Sequence, residues 1–252
     1  MFKLQQLFCN PRAHMLCPGS RILRGRMRAQ GEEEKQARRE AILDAAGTLF
    51  SERHQIANVA DIAAAAGLAK GTVYLYFPTK EAIYMALHLR HCRQFFQPLL
   101  ERLADAEPLH FDELMALTER HILAAPDYLP LGAHCTGFAE NAVPAEAIAD
   151  FQAQLNSWLV SAGAGIERHF PRVAAGDGAS LLHHSYALMV GLFSLMRGGS
   201  GAPATAARQC VQIPGMGDFN QEAQRALTRY WTLAVGEAPP TPLSPAFKEH
   251  ST

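Results

Sequence analysis

Lysine, threonine and tyrosine side chains are concentrated in residues 70–76, KGTVYLY. Val73 and Phe77 are four residues apart, so they mark the buried side of a helix that begins near residue 70. The polar and aromatic residues then occupy its outer face: Lys70, Thr72, Tyr74, Leu75 and Tyr76. Such a face can donate hydrogen bonds to phosphates and to base edges in a DNA major groove.

A short helix and a glycine turn precede this segment. Asn58 can cap the short helix by accepting a hydrogen bond from an unpaired backbone N–H, and Ile62, Ala63 and Ala66 follow at helical spacing. Gly67 suits the left-handed conformation that ends a helix, because it has no Cβ. Two helices joined by a tight turn, the second with a polar and aromatic outer face, predict a helix-turn-helix motif.

Amphipathic helices are predicted on both sides of this motif. Residues 39–53 carry their apolar side chains on one stripe. Pro78 ends the recognition helix, and Thr79 can cap a long fourth helix that runs from about Glu81 past residue 100, with a kink expected at Pro98. The segments RREAILDAAGTLF and VADIAAAAGLAKGTVYLYFPTKEAI resemble the N-terminal domain of the TetR (tetracycline repressor) family. The resemblance covers residues 38–84.

The resemblance assigns base contacts to the start of the recognition helix. In such repressors these residues touch base edges, and here they are Lys70, Gly71 and Thr72. Lysine can donate to guanine O6 and N7, and threonine offers a hydroxyl and a methyl group. Leu75 has no hydrogen bond to offer and suits contact with a thymine methyl. We also predict that Asn58 contacts DNA.

Phosphate contacts are implied for the positions of Tyr74, Tyr76 and Lys80. The alternative is that both tyrosines only pack the domain. The sequence departs from the family pattern at His54 and Gln55, where a glycine and an aromatic residue are common, and at Ala60, where a basic residue is common. The loop before Asn58 is also about one residue shorter than is common. Ala60 and this short loop support a second hypothesis, a helical ligand-binding or scaffold protein with a degenerate DNA-binding domain.

The composition fits a helical protein with two folded domains. The chain has 252 residues, of which 48% are hydrophobic, and its net charge is −1. A protein with no strong global field can still bind nucleic acid through a local patch. No apolar run approaches the roughly 18–20 residues that cross a bilayer. Five scattered cysteines without a CxxC pair indicate reduced thiols, so we expect a cytoplasmic protein without membrane partners.

We predict an all-α fold with four segments. Residues 1–34 form a disordered basic extension, and residues 35–84 form the TetR-type DNA-binding domain. The long fourth helix then leads into a helical ligand-binding and dimerisation domain at 85–237, and residues 238–252 form a Pro-rich tail. The extension could follow a DNA minor groove, although disorder without a specific role is the interpretation we favour; a translation start at Met27 is the alternative.

The C-terminal domain is predicted from periodicity alone. A long helix is expected at 145–170. The helix at 180–197 is apolar over most of its surface and needs partners on two sides. The helix at 221–235 places Leu227, Tyr230, Trp231 and Ala234 together. The resemblance implies that they form a homodimer through a four-helix bundle, and an ordinary monomeric core is the alternative. The candidate residues for binding a small molecule are His121, Trp158, Tyr186, Met189 and Phe193; for each residue taken alone, the alternative of core packing is favoured.

Catalytic and metal-binding motifs are weak. His88, His91 and Cys92 share one helix face, but no fourth ligand follows at a motif distance. His134 and Cys135 could form a thiol dyad with Glu140, yet no nucleophile elbow or phosphate loop accompanies them. We therefore predict no enzyme activity, no metal and no cofactor. The sequence predicts a transcriptional regulator, by family usage a repressor, that binds a palindromic operator as a dimer and is released by a small molecule.

Overall fold

The computed structural model describes residues 18–138, 142–197 and 217–236. Its helices are α1 (Pro18–Arg53), α2 (Val59–Ala65), α3 (Lys70–Tyr74), α4 (Lys80–Ala104), α5 (Phe111–Thr118), α6 (Tyr128–Thr136), α7 (Ala145–His169), α8 (Asp177–Arg197) and α9 (Phe219–Val235). One π-helical turn, Glu119–Leu123, continues α5. No strand occurs among the described residues, so the predicted all-α fold is confirmed.

Two compact units are distinguished, residues up to Ala41 and residues from Ile42 onward. In the first unit, side chains 31–37 are exposed. Gln36 donates to Glu40 one turn away, and Arg38 lies near Glu34 at the same spacing. Such exposed pairs add only a few tenths of a kcal/mol each to a helix. The extension that was expected to lack structure is helical from Pro18 onward; residues 1–17 lie outside the described part.

The head, residues 42–84, is organised around a core that the four N-terminal helices share. Residues with almost no exposure come from α1, α2, α3 and α4: Ile42, Leu43, Ala46, Phe50, Ile62, Val73, Ile83 and Tyr84. Tyr84 also fixes the loop between α1 and α2, because its hydroxyl accepts a hydrogen bond from the Ala57 N–H at 2.9 Å. The short α3 is therefore held by packing rather than by its own five-residue length.

A second core joins α4 to α5, α7, α8 and α9. Helix α6 lies between the two cores. Its Leu131 is fully buried in the core of the head, whereas Tyr128, Leu129 and Ala133 belong to the second core. Truncating such a buried leucine to alanine typically costs about 2–5 kcal/mol, so α6 is firmly attached to both cores.

Helix α6 is short and includes Pro130, which its first turn tolerates because a proline there lacks only an N–H that has no helical partner. One further feature differs from the sequence predictions. By length and composition, residues 177–196 of α8 would suffice to cross a bilayer, which was not expected. Only 28% of that stretch is buried, and the core helix of a soluble protein meets the same criterion.

Candidate nucleic-acid interface and internal cavity

The turn between α2 and α3 is fixed by its backbone. Gly67 has φ +67°, a left-handed conformation that disfavours any side chain. The Leu68 N–H closes the turn on the Ala63 carbonyl at 2.9 Å. At the other end of α2, Asn58 Oδ1 accepts from the Asp61 N–H at 3.0 Å, as predicted for the cap. The direction of α3 is therefore set before any partner binds.

Four of the predicted DNA-binding residues line one surface groove of about 400 Å³: Asn58, Lys70, Tyr74 and Lys80. The Lys70 ammonium lies 5.9 Å from the centre of the Tyr74 ring. Lys80 Nζ lies 3.8 Å from Glu81 on the exposed surface, an interaction that leaves most of its hydrogen-bonding capacity available. Two positive charges at the rim of an open groove suit phosphate oxygens.

The other predicted contacts lie on or beside the same short helix. Gly71 is exposed and Thr72 is half-buried. Leu75 is 82% exposed, which is unusual for a leucine and leaves its side chain free to contact another molecule. Tyr76 is half-buried and packs its ring against the core of the head. A structural role and a phosphate contact are thus compatible for Tyr76.

Gly71 allows a prediction in which stability and DNA affinity change in opposite directions. A Cβ at this helical position would meet nothing within 4 Å, so the fold does not need a glycine there. We expect Gly71→Ala to stabilise the free protein by up to about 1 kcal/mol, because alanine favours a helix. We also expect about tenfold weaker DNA binding, or roughly 1.4 kcal/mol, since the methyl group occupies space that closely approaching DNA requires. Urea denaturation and fluorescence anisotropy measure the two effects.

Gly67→Ala is the matched control. It should destabilise the protein by about 1 kcal/mol, because φ +67° is unfavourable for alanine. Equal DNA affinity for the Gly71→Ala variant and the unchanged protein would refute the assignment of Gly71 to the interface.

An internal cavity of about 260 Å³ lies within the second core. Helices α4 to α9 all contribute to its wall, mainly with methionine, leucine and aromatic side chains. Among the described residues, no Asp, Glu, Lys or Arg lines it. The polar side-chain groups in the wall are hydroxyls, thiols, the Trp231 indole N–H and the imidazoles of His88 and His183. Such a site favours an uncharged molecule.

Most of these polar groups are paired with one another. Ser185 donates to the Leu181 carbonyl at 2.7 Å and accepts from Trp231 Nε1 at 2.8 Å. The Tyr128 hydroxyl donates to Cys92 Sγ at 3.6 Å. His88 Nε2 lies 2.9 Å from the Tyr186 hydroxyl. His88 Nδ1, in contrast, is fully buried without a hydrogen-bond partner.

Burial shifts the pKa values of three side chains in the cavity wall, His88, Cys92 and Cys135. Desolvation, with a smaller contribution from nearby His91, lowers the pKa of His88 to about 3, so its imidazole is neutral at physiological pH. Desolvation raises the pKa of Cys92 to about 12, although a hydrogen bond from Tyr128 opposes the shift. The pKa of Cys135 is also raised by burial. Both thiols are therefore protonated, and a thiol is a weaker nucleophile than a thiolate.

The buried imidazole predicts acid sensitivity. The unfolded chain takes up a proton at His88 below its ordinary pKa of 6.5, whereas the folded chain does not until about pH 3. The stability gained from a neutral His88 is therefore complete above about pH 6.5 and decreases as the pH falls. Between pH 6.5 and 4.5 we expect protonation of His88 in the unfolded chain to lower the free energy of unfolding by about 2–3 kcal/mol. In urea denaturation, His88→Phe should lose that much less stability than the unchanged protein over this interval; an equal loss would contradict the prediction.

The predicted ligand-binding residues are distributed over different environments. Tyr186 and Met189 line the cavity, but His121, Trp158 and Phe193 do not. Trp158 stacks on Phe96, with ring centres 5.7 Å apart, and Phe193 packs edge-on against Phe219. Other cavity residues were not predicted, including Tyr128, Ser185 and Trp231. These residues bond to partners on other helices, so the apolar periodicity within one helix does not identify them.

The residues considered for metal or thiol chemistry occupy separate contacts. His88 and Cys92 line the cavity, whereas His91 stacks on Tyr128. His134 Nε2 bonds the His54 carbonyl at 3.0 Å, and Glu140 lies outside the described residues. No group of three metal-ligating side chains occurs in the described part of the chain.

Helix α6 also contacts the end of α1. The Ser51 hydroxyl donates to Asp127, the residue before α6, and His54 Nδ1 lies 3.5 Å from the same carboxylate. His134 bonds the His54 backbone and packs edge-on against Phe50, with ring centres 5.6 Å apart. His54 has φ +49°, an uncommon left-handed conformation for a residue other than glycine. Helix α6, which contributes to the cavity wall, is thus bonded directly to the head.

Sequence comparison agrees with both parts of this structure. The family model described as "Bacterial regulatory proteins, tetR family" matches residues 42–87. A second model, "Tetracyclin repressor-like, C-terminal domain", matches residues 89–233, more than half of the chain. The chain belongs to the TetR family. It is a DNA-binding transcriptional regulator, as its sequence predicts. A search of curated proteins found no significantly similar sequence.

Proposed function

We propose that this TetR family member is a cytoplasmic repressor that binds a palindromic operator as a homodimer and is released by a small molecule in the cavity. The observation that carries the proposal is the position of α6. Tyr128, Gly132 and Cys135 line the cavity, while Leu131 of the same helix is buried in the core of the head. A ligand that moves α6 must therefore disturb the head.

Helix α4 provides a second connection. It begins beside the groove at Lys80, and it lines the cavity with His88 and Cys92. Arg90 of this helix also bonds Asp44 of α1 at 2.6 Å. Effector binding needs to supply only about 1–3 kcal/mol of coupling between cavity and DNA. A small displacement of α4 and α6 is sufficient for that.

The proposed dimer interface lies on α8 and α9, which pack against each other. Leu195 and Leu233 are 72% and 87% exposed, and most of the apolar α8 stretch is unburied within the single chain. A second copy that covers this surface would complete a four-helix bundle. Two heads could then place their α3 helices in successive major grooves, roughly 34–36 Å apart.

The test is equilibrium binding of the full-length protein to the DNA that flanks its own gene. We expect two chains per site and an affinity that falls about 10³-fold or more between 50 and 200 mM salt, if about six or more phosphates are contacted. Binding that is absent at low salt, or insensitive to salt, would refute the repressor and favour a ligand-binding protein with a degenerate head. An unrelated duplex of the same length is the control for sequence specificity.

A further inference from the structure

The polar pair in the cavity wall has one hydrogen more than it can use internally. His88 is neutral and carries one N–H, and the Tyr186 hydroxyl carries one O–H, but a single 2.9 Å bond joins the two side chains. If the hydroxyl donates to Nε2, the imidazole N–H is at Nδ1, which has no partner. If Nε2–H donates instead, the hydroxyl hydrogen is the unpaired one.

Neighbouring groups do not remove this surplus. Cys92 Sγ lies 3.8 Å from His88 Nε2, the nitrogen that Tyr186 already contacts, and sulfur is a weak acceptor. The Tyr128 hydroxyl is directed to Cys92, and Ser185 is paired with Leu181 and Trp231. An unpaired buried donor is costly. His88 Nδ1 has almost no accessible surface, so a molecule that supplies an acceptor gains affinity at the half-buried Tyr186 hydroxyl, in the arrangement in which Nε2–H donates to that oxygen.

The other side chains of the cavity wall restrict the charge, polarity and size of such a molecule. Its described lining has no ionic side chain, and phenylalanine, leucine and methionine predominate. An apolar cavity of about 150 Å³ holds benzene, so 260 Å³ corresponds to roughly ten non-hydrogen atoms. Burying an ion in this wall without a partner would be strongly unfavourable.

We infer that the effector is an uncharged, mainly hydrocarbon molecule of roughly bicyclic size with an oxygen acceptor that binds the His88–Tyr186 pair. The inference rests on the proposed function, in which this cavity is the effector site. Gly132 supports the placement of the pair: a Cβ there would lie 2.5 Å from the Tyr186 hydroxyl oxygen and 3.2 Å from His88 Cε1. Only a glycine at this point of α6 leaves the pair in its observed position.

Four probes of similar size test the inference by calorimetry with the full-length protein at pH 7.5: tetralin, α-tetralone, 1-naphthoate and 1-naphthylmethylammonium. We expect α-tetralone to bind at least as tightly as tetralin, because its carbonyl regains a hydrogen bond. The anion and the cation should bind at least about 100-fold more weakly. Equally tight binding of a charged probe would overturn the inference, as would failure of both uncharged probes up to their solubility limits.

The double variant His88→Phe/Tyr186→Phe assigns the acceptor contact. Each single variant still holds a donor, so both side chains must change. Tetralin affinity should stay within about threefold, which shows that the cavity persists, whereas α-tetralone should bind at least about tenfold more weakly. Unchanged α-tetralone affinity would overturn the contact.

Infrared spectroscopy of α-tetralone bound to the unchanged protein provides a test that needs no variant. A carbonyl stretch below its frequency in cyclohexane indicates the expected hydrogen bond, and an unshifted stretch refutes it. DNA release is measured separately with the operator. Binding of α-tetralone in the expected manner without any change in DNA affinity would support the ligand class and contradict the proposed release.

Discussion

Replacing Leu195 and Leu233 together by glutamate is expected to convert the protein from a dimer into a monomer. Both leucines are exposed in the single chain and lie on α8 and α9, which pack against each other. In a bundle of two copies, the substitution would bury four carboxylates without partners, at several kcal/mol each. Light scattering after size-exclusion chromatography should therefore show one chain per particle.

Loss of the dimer should nearly abolish specific DNA binding. A single head reads one half-site, so the affinity for a palindromic operator should approach that for unrelated DNA, a decrease of about 10³-fold or more. Val160→Glu is the matched control, since Val160 is 66% exposed on α7 and lies on neither proposed interface helix. A Leu195→Glu/Leu233→Glu protein that stays dimeric would place the interface elsewhere.

The head was predictable because its signals are local. The cap at Asn58, the left-handed turn at Gly67 and the buried positions Val73 and Phe77 are all specified within twenty residues of sequence, and the structure places them as expected. Short-range hydrogen bonds and a repeating apolar face determine such a motif. Its resemblance to a family added the DNA-contacting roles, which remain predictions.

The cavity could not be predicted in the same way. Apolar periodicity identifies the inward side of α4 or α8, but it does not distinguish a filled core from a void. His88 and Tyr186 are 98 residues apart and meet only because α4 and α8 pack against α6 at Gly132. Trp158 is a large aromatic residue and was therefore predicted to contact a ligand, yet it packs against Phe96 outside the cavity wall.

His54 is a further residue whose role depends on contacts that are distant in sequence. From sequence it was only a departure from the family pattern, in a loop where glycine is common. In the structure it adopts a left-handed conformation, and its carbonyl and imidazole face His134 and Asp127. His54 thereby contacts His134 of α6 and Asp127, the residue before that helix. Whether a departure weakens a site depends on partners that are distant in sequence.

The second large effect is expected from Lys80→Ala combined with Tyr76→Phe. Lys80 is charged, partly exposed and part of the groove beside α3, and Tyr76 lies two residues after the end of that helix. If each binds one phosphate per subunit, the dimer loses four charge-assisted hydrogen bonds, two of which come from a cationic donor. We expect DNA affinity to fall by about 10³-fold at 100 mM salt. Tyr76→Phe retains the ring, so the core of the head stays packed.

Salt dependence separates the two contributions. Each neutralised phosphate contributes about 0.9 to the slope of log affinity against log salt, so Lys80→Ala should lower the slope of the dimer by about 2. Tyr76→Phe removes no charge and should weaken binding equally at every salt concentration. Arg120→Ala, a substitution of an exposed cation after α5, is the control and should leave the slope unchanged. If Lys80→Ala leaves it unchanged as well, Lys80 binds no phosphate.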